Sequence, residues 1–243
     1  MTRRLLLLAF ILCTACAREP AFLERSVNNH RYHVWLPPRY TKVHHWPVVL
    51  YLHGSGGAPL ESGLPLALQK NGAPYKCVVV IPECEAGHEW YGDMEQLALG
   101  ALEQSIREFH GDRRRVVLTG ISMGGAGTWY MARHRRRFAA VVPISGAIVR
   151  KQPFPTDPPP DVARIAYAFD PYAALAEEIG PRLPVWAFHG AKDDVIPASE
   201  TRNMVAALQR LGSNVRYTEV PDAGDGAYAD VGLVRWMLAQ KAR

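Results

Sequence analysis

Residues 120–124 read Gly-Ile-Ser-Met-Gly, a serine between two glycines. The continuous apolar run "RVVLTG" (115–120) leads into it and a helical pattern leads away. A serine on so sharp a strand-to-helix turn stands clear of the sheet, and the glycines let the backbone make that turn. The helix behind it aims N–H groups at the same point, where they stabilise a developing oxyanion, with the Met123 amide as one donor. This is the chemistry of acyl transfer through a nucleophilic serine, and Ser122 is the candidate.

Two further turns supply matching parts. "LHGSGG" (52–57) closes an earlier apolar run with glycines that bring backbone amides close, Ser55 or Gly56 being the second oxyanion donor. "FHGAKDDVIP" (188–197) ends another run in a turn with two carboxylates, Asp193 and Asp194. A carboxylate there can orient an imidazole and stabilise its charged form. The imidazole is the open question. His53, directly before the glycine turn, reads as a brace for its loop. His88, in "EAGHEWYGD", leaves the sheet on the edge that carries Ser122 and reads either as a base or, with Trp90, as a wall of the substrate cleft. Histidines 30, 33, 44, 45, 110 and 134 read as edge, loop or surface positions, and none follows His189.

The elements that must hold these residues are legible as alternating patterns. Apolar runs at 48–54, 77–82, 115–120, 139–146, 184–190 and 215–221 are mostly continuous rather than alternating, as in strands buried on both faces. "RYHVWLP" (31–37) alternates and predicts an edge strand. Helical patterns cover 94–109, 124–138, 199–212 (with Gly212 as its C-cap) and about 230–241. Strand and helix in turn predict a three-layer α/β fold, a mostly parallel sheet with helices on both faces. The prolines at 153, 155, 158, 159, 160 and 171 make 150–172 an excursion, either plain surface or a short cap over the site.

"LHGSGG", "GISMGGAGTW", "VWAFHGAKDDVIP" and "YADVGLVRWMLAQKAR", in this order, resemble bacterial α/β-hydrolases of the carboxylesterase/phospholipase and predicted-peptidase group. That group overlaps polyhydroxybutyrate-depolymerase-like and feruloyl-esterase-like proteins, and "IPECEAGHEW" is similar to its Pro-x-Cys segment ending in Trp. The likeness runs from about residue 30 onward and implies an α/β-hydrolase fold acting on small carboxylic esters without a cofactor or metal. It implies Ser122 as nucleophile and, by register with the Pro of "DDVIP", Asp193 rather than Asp194 as the acid. It also implies a Gly-His where this chain reads "AGDGAY", so Asp225 stands where the triad histidine is expected. An aspartate is a poor substitute, since its pKa is near ~3.9 against ~6.5 for histidine. The resemblance therefore leaves two expectations, a serine esterase with an unidentified base and a pseudo-hydrolase that binds a ligand or envelope partner.

The N-terminus reads "MTRRLLLLAFILCTACAREP": two arginines, an apolar run from Leu5 to Leu12, then small residues. This is a secretory leader over 1–17, too short in its apolar part to span a bilayer, followed by one domain over 25–243. "CTAC" resembles a lipobox with Cys16 as the lipidated residue, and cleavage after Ala17 is the competing pattern. Export to the periplasm or envelope is expected either way, with membrane attachment through Cys16 in the first case. Cys77 and Cys84 stand about 20 Å apart along an extended chain, too far to pair. The net charge of +5 is modest. "RHRRR" (133–137) has no interleaved aromatics, so it reads as a solvated helix end rather than a nucleic-acid surface.

Overall fold

The computed structural model describes residues 22–56, 58–149, 154–221 and 230–242. Eight strands form one sheet: β1 (Phe22–Val27), β2 (His30–Trp35), β3 (Trp46–Leu52), β4 (Val78–Pro82), β5 (Gly111–Ile121), β6 (Ala140–Ile144), β7 (Trp186–Gly190) and β8 (Arg216–Val220). Their order is β1-β2-β4-β3-β5-β6-β7-β8. β2 pairs antiparallel with both β1 and β4, and the strands from β4 to β8 are mutually parallel. Seven helices are described: α1 (Gly63–Asn71), α2 (Asp93–Glu108), α3 (Met123–Met131), α4 (Pro160–Ala166), α5 (Pro171–Ile179), α6 (Ser199–Arg210) and α7 (Val231–Ala239).

The period-two geometry of the central strands divides the core in two. Val48, Leu50 and Leu52 of β3 pack with α2, α3, α5 and α6, whereas Val49 and Tyr51 pack with Leu64 and Leu68 of α1 and Leu233 and Met237 of α7. Burial on both sides is why these strands read as unbroken apolar runs. The expected three-layer α/β architecture is the one observed.

Local differences have identifiable causes. The 31–37 strand is not an edge, because β1 covers it. Asn28 and Asn29 make the tight connection with φ of 50° and 66°, as a two-residue hairpin turn requires. The helix expected over 124–138 stops at Met131. Arg133 turns back there, donating to the Tyr130 carbonyl at 2.7 Å and so satisfying the end of α3. Nor is "RHRRR" simply solvated, since Arg133 and His134 both reach the buried carboxylate of Glu95 on α2. α6 ends as the glycine predicts: Gly212 has φ 79°, its N–H bonds to Gln209 and the Ser213 N–H to Leu208. In the Pro-rich excursion, Pro160 and Pro171 open α4 and α5, where a missing N–H costs nothing.

Candidate active site

Ser122 joins β5 to α3 with φ 55° and ψ −117°. A non-glycine residue in this region carries about 1–3 kcal/mol of strain and persists only where its surroundings fix it. Here they do. The Ser122 N–H bonds to the Ile144 carbonyl of the neighbouring strand at 3.0 Å, and its carbonyl accepts from Ala126 at 2.9 Å. Glycines let the backbones close in around it. A Cβ on Gly124 would stand 1.9 Å from the Leu52 oxygen, one on Gly125 2.2 Å from the Ile144 oxygen, and one on Gly120 2.3 Å from the Gly124 oxygen. The Met123 amide lies in the first turn of α3, whose N–H groups have no intrahelical acceptor.

The turn after β3 approaches Ser122 from the other side. A Cβ on Gly54 would lie 3.4 Å from the Ile121 oxygen and 3.5 Å from the Ser122 Cβ, and Ser55 follows one peptide further on. His53 anchors this turn from within. Its Nε2 accepts the Cys84 N–H at 2.9 Å, so its proton sits on Nδ1 and is donated to the Gly54 carbonyl at 2.7 Å. Burial pushes its pKa below the ordinary histidine value. Both ring nitrogens are thus committed, and His53 braces the loop as expected. Trp90, only 1% exposed, donates its indole N–H to the His53 carbonyl at 2.9 Å and packs on Gly127. It supports the turn from beneath rather than forming the open cleft wall anticipated.

The acid loop follows β7. Asp193 Oδ1 accepts the N–H groups of Val195 at 3.0 Å and Ile196 at 2.8 Å, which fixes the carboxylate, while Asp194 is exposed. Asp193 Oδ2 lies 3.5 Å from Nε2 of His189. His189 is fully buried, with Nε2 donating to the Ile196 carbonyl at 2.8 Å and Nδ1 against the Thr201 hydroxyl at 2.7 Å. The sequence reading gave His189 no role; its only signal was the position just before the glycine of the acid turn. The Ala191 N–H bonds to the Val220 carbonyl at 2.7 Å, so the chain leaving β8 starts beside the acid loop. Asp225 and Cys16 lie outside the described residues.

His88 stands elsewhere. It faces a cavity of about 300 Å³ with Asn28, His30, Glu85 and Met94, against the β1–β2 hairpin. Its Nδ1 lies 3.3 Å from the Ala86 carbonyl. Cys77 and Cys84 are free, and burial pushes the Cys84 thiol up to about 12, which removes it as a competing nucleophile. Among the described residues no cluster of His, Cys, Asp and Glu side chains could hold a metal ion.

The described part of the Pro-rich excursion packs on the chain just before α2 and on α6. Phe154 packs edge-on against Tyr91 at 5.2 Å and Tyr167 at 6.2 Å, and the Tyr91 hydroxyl donates to the Thr156 carbonyl at 3.0 Å. Glu200 of α6 accepts from the Ile148 and Val149 amides at 2.8 Å and from the Tyr172 hydroxyl at 2.9 Å. The segment that leaves β6 is therefore tied down at both ends.

Residues 87–239, well over half of the chain, match the model of the prolyl oligopeptidase family. The chain belongs to that family. With it comes the wider group of α/β-hydrolases that includes serine esterases and lipases, in line with the resemblance carried by the four motifs. A thermostable monoacylglycerol lipase of Bacillus sp. (strain H-257) is 34% identical over 104 residues, covering 41% of this chain and 40% of the lipase. The match thus spans about two fifths of that curated relative's length. In fold, the chain is similar to a thermostable esterase, with TM-score 0.69 and 21% identity over 92% of this chain and 63% of that one. It is also similar to the fluorophosphonate-binding serine hydrolase FphF of Staphylococcus aureus, with TM-score 0.66 and 19% identity over 90% and 98%.

Proposed function

We propose that this protein is an exported serine hydrolase that cleaves small carboxylic esters through an acyl-enzyme on Ser122. One observation carries the reading: Ser122 is held at φ 55° and ψ −117° at the head of α3, with the Gly54–Ser55 turn against it and Gly120, Gly124 and Gly125 packed around it. Ser122 Oγ attacks the ester carbonyl, and the Ser55 and Met123 amides receive the oxyanion. The alcohol then leaves and water releases the acid. Asp193, held by the Val195 and Ile196 amides on the turn after β7, is the candidate acid. The described histidines near it supply no free imidazole, since His53 and His189 both have their nitrogens engaged. The proton of Ser122 therefore passes to solvent, and turnover is slow. An oxyanion hole with bound substrate still gives about 10³–10⁴-fold over water when a triad is incomplete.

The leader-like N-terminus supports export to the periplasm or envelope, with Cys16 as a lipid attachment point. A second reading, a pseudo-hydrolase that only binds, is favoured by the absence of histidine after position 189. A fluorophosphonate probe and p-nitrophenyl ester turnover separate the two. Labelling lost in Ser122→Ala, together with turnover above the Ser122→Ala background, supports the hydrolase. Labelling without turnover supports the binding protein, and no labelling sinks the nucleophile.

A further inference from the structure

The end of the sheet away from Ser122 presents a concentrated positive surface. The loop before β3 carries Arg39, Lys42, His44 and His45, all exposed. The junction of α2 and β5 adds Arg107, Arg113 and Arg114. Lys241 joins them because the Ala242 N–H bonds to the Arg114 carbonyl at 2.7 Å. Nearby carboxylates are already engaged: Glu103 with Arg113 at 2.5 Å, Glu108 with Arg25 at 2.7 Å, and Asp112 with Arg115 at 2.8 Å. Among the described residues, no carboxylate pairs with Arg39, Lys42, Arg107 or Lys241. A depression of about 450 Å³ opens among His45, Arg107, His110 and Arg113, with Asp112 in its wall. Val43 stands 85% exposed amid these charges.

Helix dipoles explain part of this, because Arg107 sits in the last turn of α2. They do not explain the cations of the 39–45 loop or of the first turn of β5. The opposite end, around Ser122, exposes Glu85, Asp157 and Asp194, with Lys192 on the same loop as Asp194.

The start of the described chain lies on this same basic end. Phe22 pairs with Trp35, the last residue of β2, immediately before the 36–45 loop. The chain before Phe22, which in the lipidated reading begins at Cys16, thus joins the domain beside the basic face. Short lipid anchors hold weakly alone, and a polybasic surface is the second signal that makes attachment stable. A single-stranded nucleic-acid surface would need exposed aromatic rings among the cations for base stacking, whereas Tyr40 and Trp46 on this end are half-buried and pack on each other.

We propose that this face docks on an anionic lipid bilayer, with the N-terminal segment entering the same bilayer and the Ser122 face turned away from it. Strand β5 runs from the basic end to Ser122, so about 20 Å of sheet separates the charges from the nucleophile. The inference is independent of whether Ser122 turns over esters.

The test is sedimentation of the full-length protein with vesicles of phosphatidylcholine, alone or with one third phosphatidylglycerol. Each surface cation contributes on the order of fivefold to partitioning on an anionic leaflet. The triple variant Lys42→Glu/Arg107→Glu/Lys241→Glu breaks no ion pair among the described residues, though Lys241 lies near Asp112, and it keeps the N-terminal segment. It is expected to bind the anionic vesicles more than about a hundredfold more weakly. Arg31→Glu, exposed at the Ser122 end of the sheet beside Glu83, should change binding by less than about threefold. Raising salt from about 0.05 M to about 0.5 M should release the wild type toward its binding to neutral vesicles. Unchanged near-ultraviolet circular dichroism shows that each variant is folded. Equal binding of wild type to neutral and anionic vesicles, or equal losses in the two variants, overturns the proposal. So does a wild type that prefers heparin or duplex DNA to anionic vesicles, which would reassign the face to a polymeric polyanion. Failure of ester turnover, measured on the same samples, bears only on the hydrolase reading.

Discussion

Gly54 and Ser122 face each other across the mouth of the sheet, with room for one methyl group between them: a Cβ on Gly54 would sit 3.5 Å from the Ser122 Cβ. That spacing is ordinary van der Waals contact. Gly124 is different, because its missing Cβ would lie 1.9 Å from the Leu52 oxygen, which belongs to a central strand and cannot move aside. Gly54→Ala should therefore fold with a Tm within about 2 °C of wild type, yet react more slowly with bulky fluorophosphonates. Gly124→Ala should lose more than about 3 kcal/mol, which for a chain of this size lowers Tm by about 10 °C or leaves no folded protein. Thermal melts of the two variants, side by side, check this. Equal melting would mean that the backbones around the serine are looser than drawn.

His53 gives stability a pH dependence. Burial holds it neutral in the folded protein, with a lowered pKa, while in the unfolded chain it titrates near ~6.5. Below that pH the unfolded chain binds the extra proton, so this contribution is complete above about 6.5 and is lost as pH falls through it. The loss levels off once the folded-state pKa is passed. His53→Gln keeps an acceptor for the Cys84 N–H but has nothing to protonate. Urea midpoints measured from pH about 5 to about 8 should slope less in the variant than in the wild type. Parallel profiles would exclude His53 as a source of the slope.

The pair Glu95 and Arg133 joins α2 to the end of α3 at 2.7 Å, and Arg133 also reaches Asp161 of α4 at 2.8 Å. Both members are nearly buried, and removing Glu95 leaves Arg133 with the half-exposed Asp161 as its remaining carboxylate partner among the described residues. Glu95→Ala should cost about 3–5 kcal/mol. Glu95→Gln/Arg133→Met, which removes both charges at similar volume, should recover part of that loss. A chemical denaturation series gives both numbers, and a double variant worse than the single would refute the pairing argument.

How much of this could be read beforehand follows from what leaves a local trace. Strands buried on both faces write unbroken apolar runs, so β3 to β7 are legible; at the edges, the half-exposed β8 is still picked out as a short run, whereas β1, "FLERSV", is missed. The serine turn is legible because Gly120, Ser122 and Gly124 lie within five residues of one another, although the oxygens that exclude a Cβ at Gly124 and Gly125 belong to the distant Leu52 and Ile144. Trp90 is harder, because whether an indole faces a cleft or fills the space behind a turn depends on Gly127 and on the His53 carbonyl, 37 residues distant. The arginines of 133–137 look like a solvated helix end until Glu95 is found buried opposite them. Long-range partners of that kind leave nothing in the local pattern.

The decisive experiment concerns Asp193 and Asp225 together. Asp193 Oδ1 is used by the Val195 and Ile196 amides whether or not a histidine is present, so its structural work is separable from any catalytic work. In the wild type, without an imidazole to orient, Asp193→Asn should reduce ester turnover by less than about tenfold, against about 10⁴ for a working triad. Asp193→Ala, which frees both amides, should lower Tm by about 2–6 °C. The chain leaves β8 next to the acid loop through the Ala191–Val220 hydrogen bond, so a histidine at 225 begins within a few residues of Asp193. Asp225→His is expected to raise turnover by about 10²-fold or more, the usual scale of a positioned general base. In that background Asp193→Asn should become costly, by at least about 10²-fold, so the two positions should be strongly coupled in a double-mutant cycle. A gain from Asp225→His without coupling would place its imidazole on Ser122 independently of Asp193. No gain at all would mean that the segment between β8 and α7 is too short to carry a base to Ser122, whichever residue occupies position 225.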